Sequence, residues 1–423
     1  MFMYRIQGFR TRLRMVCAVF LAAVLLCLAV ASPMRATAAD MAPRKGSSVG
    51  LSGEICVPAG NGSLPAALGG VSARGAVLIE ADSGDIVFGQ NPHAQMPMAS
   101  TTKIMTALVA LEALPLDTAV TITADSVGVE GSSIYLVEGE ILTLEDLLYA
   151  LLLESANDAA AAIAVAVSGS IEAFAALMNR KAADLGLTHT RFANPHGLDD
   201  PEHYTTAYEL AMITREALEN PAFRKICSTE RRTIPLHGDE DARDGVRLLL
   251  NHNKLLDAYE GCIGVKTGFT KKTGRCLVSA AERGGVTLIA VTLNAPDDWR
   301  DHTAMLDYGF GLYTSVCLGG EGFFSAPLWM ISGTRDYVMV ESTDTLTVTL
   351  RRDHGPVLCV VELPRFEFAP VTPQQVMGRL VFWEKLPDGG RRELGTVPLT
   401  AAYRVEEVTY PPTLWDRILE LFP

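Results

Sequence analysis

The arrangement of strand-like and helix-like patterns limits this chain most. Two strand-like runs, Ala76–Ala81 and Ile86–Gln90, flank the turn residues Asp82-Ser83-Gly84-Asp85. Three more, Gly264–Phe269, Cys276–Glu282 and Val286–Asn294, come far downstream and are separated by Gly-containing turns. Residues 116–185 between them read as mainly helical. Thr143 opens a helix with Asp146 as its capping partner, and Leu144, Leu147, Leu148 and Leu151 form its apolar face. Ala159–Val167 is Ala-rich with no polar face, the pattern of a helix buried at the centre of a domain. Helices are also predicted over Phe174–Leu185, Thr206–Leu218 and Trp299–Tyr313. The expected class is α+β: an antiparallel sheet assembled from both ends of the segment, with a helical cluster between.

The full chain has 423 residues, enough for two or three domains. Arg5, Arg10, Arg12 and Arg14 precede an apolar run from Met15 to Ala31, and Ala36-Thr37-Ala38-Ala39 supplies small residues after it. That is the layout of a secretory signal over residues 1–39, with cleavage expected after Ala38 or Ala39; the alternative is an uncleaved membrane anchor, since the run is close to the length that spans a bilayer, and either reading places the rest of the chain outside the cytoplasm in the cell envelope. The formal charge of -13 becomes -18 once the five arginines before Ala39 are removed, and such an acidic chain is no nucleic-acid binder. Residues 40–72, rich in Gly, Ser, Pro and Ala, read as a flexible linker, with ordered structure from Ala73. A catalytic-type domain is expected over 73–325. Short alternating runs then mark a small all-β domain over 326–410. In the tail, 411–423, Leu414, Trp415, Ile418, Leu419 and Phe422 share one helical face. This suits an interfacial membrane anchor or a helix docked on the β domain. Export permits disulfides. Cys262 and Cys276 are expected to face each other across a hairpin, whether or not they are bonded.

Three short motifs carry chemistry. In Met98-Ala99-Ser100-Thr101-Thr102-Lys103, Ser100 and Lys103 stand one helical turn apart on the same side. A serine hydroxyl needs an adjacent base, and a lysine kept neutral by its surroundings can be that base. Ser155-Ala156-Asn157 falls at a helix break, where side chains can point into a cleft. Lys266-Thr267-Gly268 falls on a predicted strand. The alternative readings are structural: Ser100, Ser155 and Asn157 as helix caps, Lys266 as a strand lysine, and His196 and His203 as loop-fixing residues. No Cys/His cluster has metal-ligand spacing, and no Gly-rich phosphate loop occurs, so no cofactor or metal is expected.

Ser-x-x-Lys, Ser-x-Asn and Lys-Thr-Gly in this order form the signature of penicillin-binding proteins and serine β-lactamases. Pro97–Thr106, Ser155–Ala160, Asn194–Asp199, His203–Ala207 and Val265–Thr270 together resemble the D-alanyl-D-alanine carboxypeptidases, the low-molecular-mass penicillin-binding proteins of serine peptidase family S11. The resemblance implies the penicillin-binding/serine β-lactamase-like fold. It implies catalytic roles for Ser100, Lys103 and Ser155 and substrate binding by Asn157, Lys266, Thr267, Gly268 and Phe269, with the N–H groups of Ser100 and Phe269 as oxyanion hole. The implied partners are the peptidoglycan pentapeptide stem and β-lactam antibiotics as covalent inhibitors. Two positions depart from the family pattern, Ile263 and Tyr208-Glu209, and both bear on the electrostatics expected near Lys266. The alternatives are a serine β-lactamase and a non-catalytic wall-binding protein. For the first, Leu250-Asn251 and Leu293-Asn294 carry Arg247 and Ala290 where a water-activating glutamate would stand.

Overall fold

A computed structural model describes residues 49–236 and 245–409. The expected signal segment (1–39) and amphipathic tail (411–423) lie outside the described residues. A five-stranded sheet lies at the centre of the first region. Its spatial order is Ile86–Gln90, Gly75–Glu80, Val286–Leu293, Gly274–Arg283, Cys262–Thr270, with every neighbouring pair antiparallel. The first two strands and the last three are thus joined edge to edge, as the sequence pattern requires.

Both faces of this sheet are covered. Alternate residues of each strand point to opposite sides. Val77, Ile79, Val278, Ile289 and Val291 pack against the helical cluster, while Ala76, Leu78, Leu277, Leu288 and Ala290 pack against Met305 and Leu306 of the helix Asp298–Leu312. That two-sided burial explains why the strands read as nearly unbroken apolar runs. At the heart of the cluster the helix Asn157–Ser168 buries its first eight residues; its alanines let neighbouring helices approach closely. Thr143 caps the preceding helix as expected, accepting from Asp146 N at 3.1 Å.

Four expectations need correction. Residues 116–142 are not α-helical: two short strands, Ala119–Thr121 and Ile141–Thr143, pair across a long loop that holds one 3-10 turn, Ala124–Ser126. That loop is held by buried charge rather than by helical hydrogen bonds. Asp158 accepts from Leu136 N at 3.0 Å and Ser133 Oγ at 2.6 Å, and the buried Arg247–Glu140 pair also donates to Ile134 O at 2.9 Å. Second, the stretch 40–72 contains the strand Val49–Val57, which pairs antiparallel with Val357–Leu363. Its strand character was masked by flanking Gly and Ser. Third, the β-rich part begins earlier than residue 326. Tyr313–Gly319 follows the helix directly and pairs with Thr345–Arg351. Fourth, Cys262 and Cys276 are not opposite each other. Cys262 pairs with Ala281 and Cys276 with Gly268, because the hairpin turns at 271–273 and not midway between the two cysteines.

The β-rich region is built on a seven-stranded sheet. Its order is Val49–Val57, Val357–Leu363, Val376–Lys385, Arg391–Ala401, Tyr337–Ser342, Ser325–Ile331, Phe366–Phe368, and only the last pair is parallel. Two apolar clusters underlie it, one around Phe382 and one around Val338.

Candidate active site

The nucleophile candidate sits on a tight 3-10 turn, Ala99–Thr102, that runs straight into the helix Lys103–Ala113. Ala99 has φ +47°, in the left-handed region where a non-glycine residue is strained. Ser155 has φ +60° at the break between the helices Leu144–Leu153 and Asn157–Ser168. Ser155 and the residue just before Ser100 are therefore held in costly backbone conformations. Such strain persists only where surrounding structure enforces it.

Lys103 lies beneath Ser100, with no exposed surface. Its Nζ is 3.0 Å from Ser100 Oγ, 2.6 Å from Asn157 Oδ1 and 2.6 Å from the His196 carbonyl oxygen. Burial, and then the nearby Lys266 ammonium, hold its pKa well below the ordinary lysine value, against a smaller opposing pull from Asp158. Asn157 is fixed in turn by donating from Nδ2 to Glu130 O at 2.6 Å. The sequence reading places Asn157 against the substrate; here both ends of its amide are engaged by Lys103 and the 130–132 loop.

The strand Cys262–Thr270 forms the opposite wall. It passes so close to the nucleophile turn that a Cβ at Gly268 would lie 3.0 Å from Ser100 N and 3.1 Å from Thr101 N. Glycine is required there by space. On the other side, Gly197 adopts φ +89°, and a Cβ there would lie 2.0 Å from Ala99 O. Thr267, Gly268 and Phe269 line the cleft; Lys266 does not. Lys266 is 1% exposed and donates to Thr267 O at 2.9 Å. Burial lowers its pKa to about 7, with Glu154 pulling the other way. Lys266 is thus buried in the strand that forms the wall, close enough for its charge to bear on Lys103.

The open cleft has a volume of about 360 Å³ and brings Ser100, Ser155, Thr267, Gly268 and Phe269 together. Sequence reasoning missed other lining groups: Ser132, His252, Lys254, Arg275 and Trp299. Arg275 stands opposite Phe269 on the neighbouring strand and forms a two-point pair with Asp298. The hairpin around 271–273 was the signal for it. Glu154, which had no evident role in the sequence, accepts from Leu250 N at 2.6 Å and faces His252 at 3.3 Å, fixing one rim.

The two loop histidines are structural. His203 Nδ1 accepts from Ala193 N at 3.0 Å, so its Nε2 carries the proton and donates to Thr102 Oγ1 at 2.6 Å. Burial lowers its pKa to about 4 and that of His196 to about 3, so both are neutral. Glu209 is remote from this chemistry: its carboxylate accepts from His189 N at 2.9 Å and from the Thr190 hydroxyl. Ile263 is a core residue. Neither departure touches Lys266 directly. Among the described residues no group of three His, Cys, Asp or Glu side chains is placed to hold a metal ion.

A family profile described as D-alanyl-D-alanine carboxypeptidase matches residues 63–297. The chain is 31% identical over 319 residues to D-alanyl-D-alanine carboxypeptidase DacF of Bacillus subtilis, covering 73% of this chain and 81% of that protein. It is 29% identical to DacC of Escherichia coli, covering 83% and 89%. Among solved structures, penicillin binding protein 5 from Haemophilus influenzae superposes with TM-score 0.58 at 26% identity, over 81% of this chain and all of that one. The Streptomyces K15 DD-transpeptidase superposes with TM-score 0.56 at 32% identity, over 58% of this chain and all of that one. With the three motifs gathered on one cleft of this fold, the chain belongs to the D-alanyl-D-alanine carboxypeptidase family, peptidase family S11.

Proposed function

We propose that this protein removes the terminal D-alanine from peptidoglycan pentapeptide stems through an acyl-enzyme on Ser100, and that β-lactams acylate the same oxygen. The observation that carries the residue assignment is the environment of Lys103. A neutral amine has two N–H groups and one lone pair. Asn157 Oδ1 and the His196 carbonyl are pure acceptors, so they take the two N–H groups. The lone pair then faces Ser100 Oγ, 3.0 Å away, as a base must. Ser100 attacks the carbonyl of the penultimate D-Ala and its proton passes to Lys103. The Ser100 and Phe269 N–H groups receive the oxyanion; such donors contribute about 3–4 kcal/mol. Ser155 relays the proton to the leaving amine, D-alanine departs, and water hydrolyses the ester.

Asn157 acts in this scheme by positioning Lys103. Thr267 offers its hydroxyl to the carboxylate of the leaving D-alanine, with Arg275 as the cation on the same wall. Lys266 tunes Lys103 from behind rather than touching substrate. The β-lactamase reading is disfavoured: Arg247 is buried and paired with Glu140, Ala290 is in the sheet core, and neither can activate water. Attachment to a membrane surface through residues 411–423 in the cell envelope is a separate part of the proposal, tested by flotation with liposomes with and without those residues.

The deciding experiment labels wild type and Ser100→Ala with a fluorescent penicillin, followed by intact mass and a D-alanine release assay on diacyl-D-Ala-D-Ala. Wild type should gain one adduct and release D-alanine; Ser100→Ala should do neither while keeping its melting transition. A labelled Ser100→Ala protein overturns the assignment. Wild type that labels without releasing D-alanine indicates a binding protein.

A further inference from the structure

A second pair of side chains with shared chemistry lies far from the cleft. Cys56 is the penultimate residue of the strand Val49–Val57, and Cys359 is the third residue of its partner Val357–Leu363. The ladder between these strands is irregular just here. Ile55 stands opposite Leu358 and Val57 opposite Val357, with register shifts on either side of Ile55. An extra residue in one strand lets two consecutive side chains face the same partner segment. Cys56 and Cys359 accordingly share one face. Cys359 is part of the apolar cluster around Phe382, and Cys56 packs against that cluster from its rim. Their thiols are hydrogen-bonded to each other. By this register Cys56 lies diagonally across from Cys359 rather than directly opposite it, and the contact between the thiols is what brings the sulfurs within reach; a disulfide tolerates Cα atoms up to about 7 Å apart.

The other close cysteines differ. Cys227 and Cys262 also neighbour each other, but each thiol donates to a backbone carbonyl, Ile263 O at 3.4 Å and Gly264 O at 3.7 Å. Those sulfurs are aimed at the chain and not at each other.

We propose that Cys56 and Cys359 form a structural disulfide that fastens the N-terminal strand to the β-rich sheet. The ring so closed contains the whole cleft-bearing region. Among the described residues, the strand it fastens is the edge strand of the sheet. Beyond it, Gly60 N to His354 O at 2.7 Å and Gly62 N to Arg352 O at 3.0 Å continue the contact. A cross-link at this point holds the element most prone to fray.

The co-reactant is a small or protein-borne disulfide. The half-exposed Cys56 loses its proton and its thiolate attacks one sulfur of the oxidant, expelling a thiolate. The Cys359 thiolate then displaces the second oxidant sulfur from the mixed disulfide. Two thiols are oxidised, one oxidant disulfide is reduced to two thiols, and the two protons end on the released groups. Burial raises both pKa values, that of Cys359 to about 12, so closure should accelerate as pH rises.

The test reduces the full chain, removes the reductant and incubates the folded protein with oxidised glutathione. Remaining thiols are blocked with iodoacetamide, and the protein is digested without reduction for mass mapping. The linked peptide carrying Cys56 and Cys359 should dominate. Oxidation should raise the melting temperature by about 5 °C or more. The same treatment of Cys56→Ser should leave it unchanged, and penicillin labelling should not alter in either protein. If both residues are recovered alkylated, glutathionylated or linked to other cysteines, the proposal is wrong. The mapping needs only wild type, so it decides even if Cys56→Ser folds poorly, and it is independent of whether Ser100 is the nucleophile.

Discussion

The cleft-bearing region, Gly75 to Leu312, and the β-rich region treat charge in opposite ways. In the first, Lys103 and Lys266 are enclosed, Arg247 and Glu140 form a buried pair, and Asp158 and Glu209 spend their oxygens on loop N–H groups. In the second, Arg351–Asp353 and Arg379–Glu362 lie at the surface, and the interior clusters around Phe382 and Val338 are apolar. A buried charge costs several kcal/mol unless it is paired and hydrogen-bonded. On the proposed mechanism the cleft region carries that cost because a lysine base has to be dry. The β-rich region makes no such demand: its interior is mainly apolar, and its buried carboxylate, Glu384, is met by the half-exposed Arg392. Its exposed features are instead aromatic: Trp329, Tyr337, Phe366 and Phe368 project from one end of its sheet.

The difference is broken most forcefully by removing one partner of an ion pair in each region. Arg247→Ala leaves Glu140 buried without its cation and strips donors from the Ile134 and Tyr135 carbonyls. The expected loss is about 3–5 kcal/mol, a melting temperature lower by about 10 °C. Arg379→Ala, in an exposed pair, should leave the melting temperature where it is. Thermal denaturation of both variants checks this. Equal shifts would show that the two regions do not differ in this respect.

A smaller effect separates geometry from stability within the cleft. Gly268→Ala places a methyl group 3.0–3.1 Å from backbone nitrogens that cannot rotate away. The strand has to withdraw from the nucleophile turn, and a displacement near 1 Å costs about 100-fold in rate. Penicillin acylation should slow by about that factor in stopped-flow measurements. Undiminished acylation would mean that the strand's approach to Ser100 N is not required.

This contrast also explains what the sequence revealed. Regions organised by apolar periodicity were legible. The strand bounds around Lys266, the capped helix at Thr143 and the alternating C-terminal strands all came from patterns that burial imposes. Regions organised by buried polar contacts were not. Residues 116–142 carry enough Leu, Val and Ile to look helical, but Asp158, Arg247 and Glu140 hold them as a loop from positions distant in sequence. The same blindness affected the site. Ser100, Lys103, Ser155 and the Lys-Thr-Gly strand could be found because their spacing is local. Glu154, Arg275 and the His196 carbonyl could not, because their roles depend on register and on backbone direction. Lys266 was legible as a site residue, yet its burial was not.

The subtlest consequence of enclosing charge is a dependence of stability on pH, centred on Lys266. In the unfolded chain this lysine keeps its proton up to about 10.5, and in the folded protein burial brings its pKa to about 7. Between those values unfolding takes up a proton, so raising the pH favours the folded state. Below about 7 both states are protonated and the full penalty of a buried ammonium remains. Above about 10.5 both are neutral and it vanishes. Lys103 is shifted in the same direction, and part of its shift comes from Lys266, so removing Lys266 weakens both contributions together. Urea midpoints of wild type and Lys266→Met, taken from pH 7 to pH 10, isolate the effect, since thiol and tyrosine titrations elsewhere cancel in the difference. Stability of wild type relative to the variant should climb across this range, by at most about 1.4 kcal/mol per pH unit for each proton involved. A flat difference would mean that Lys266 keeps its proton in the folded protein. Its charge would then have to be compensated by Glu154 across the rim, and the contrast between a region that encloses charge and one that exposes it would rest on Lys103 alone.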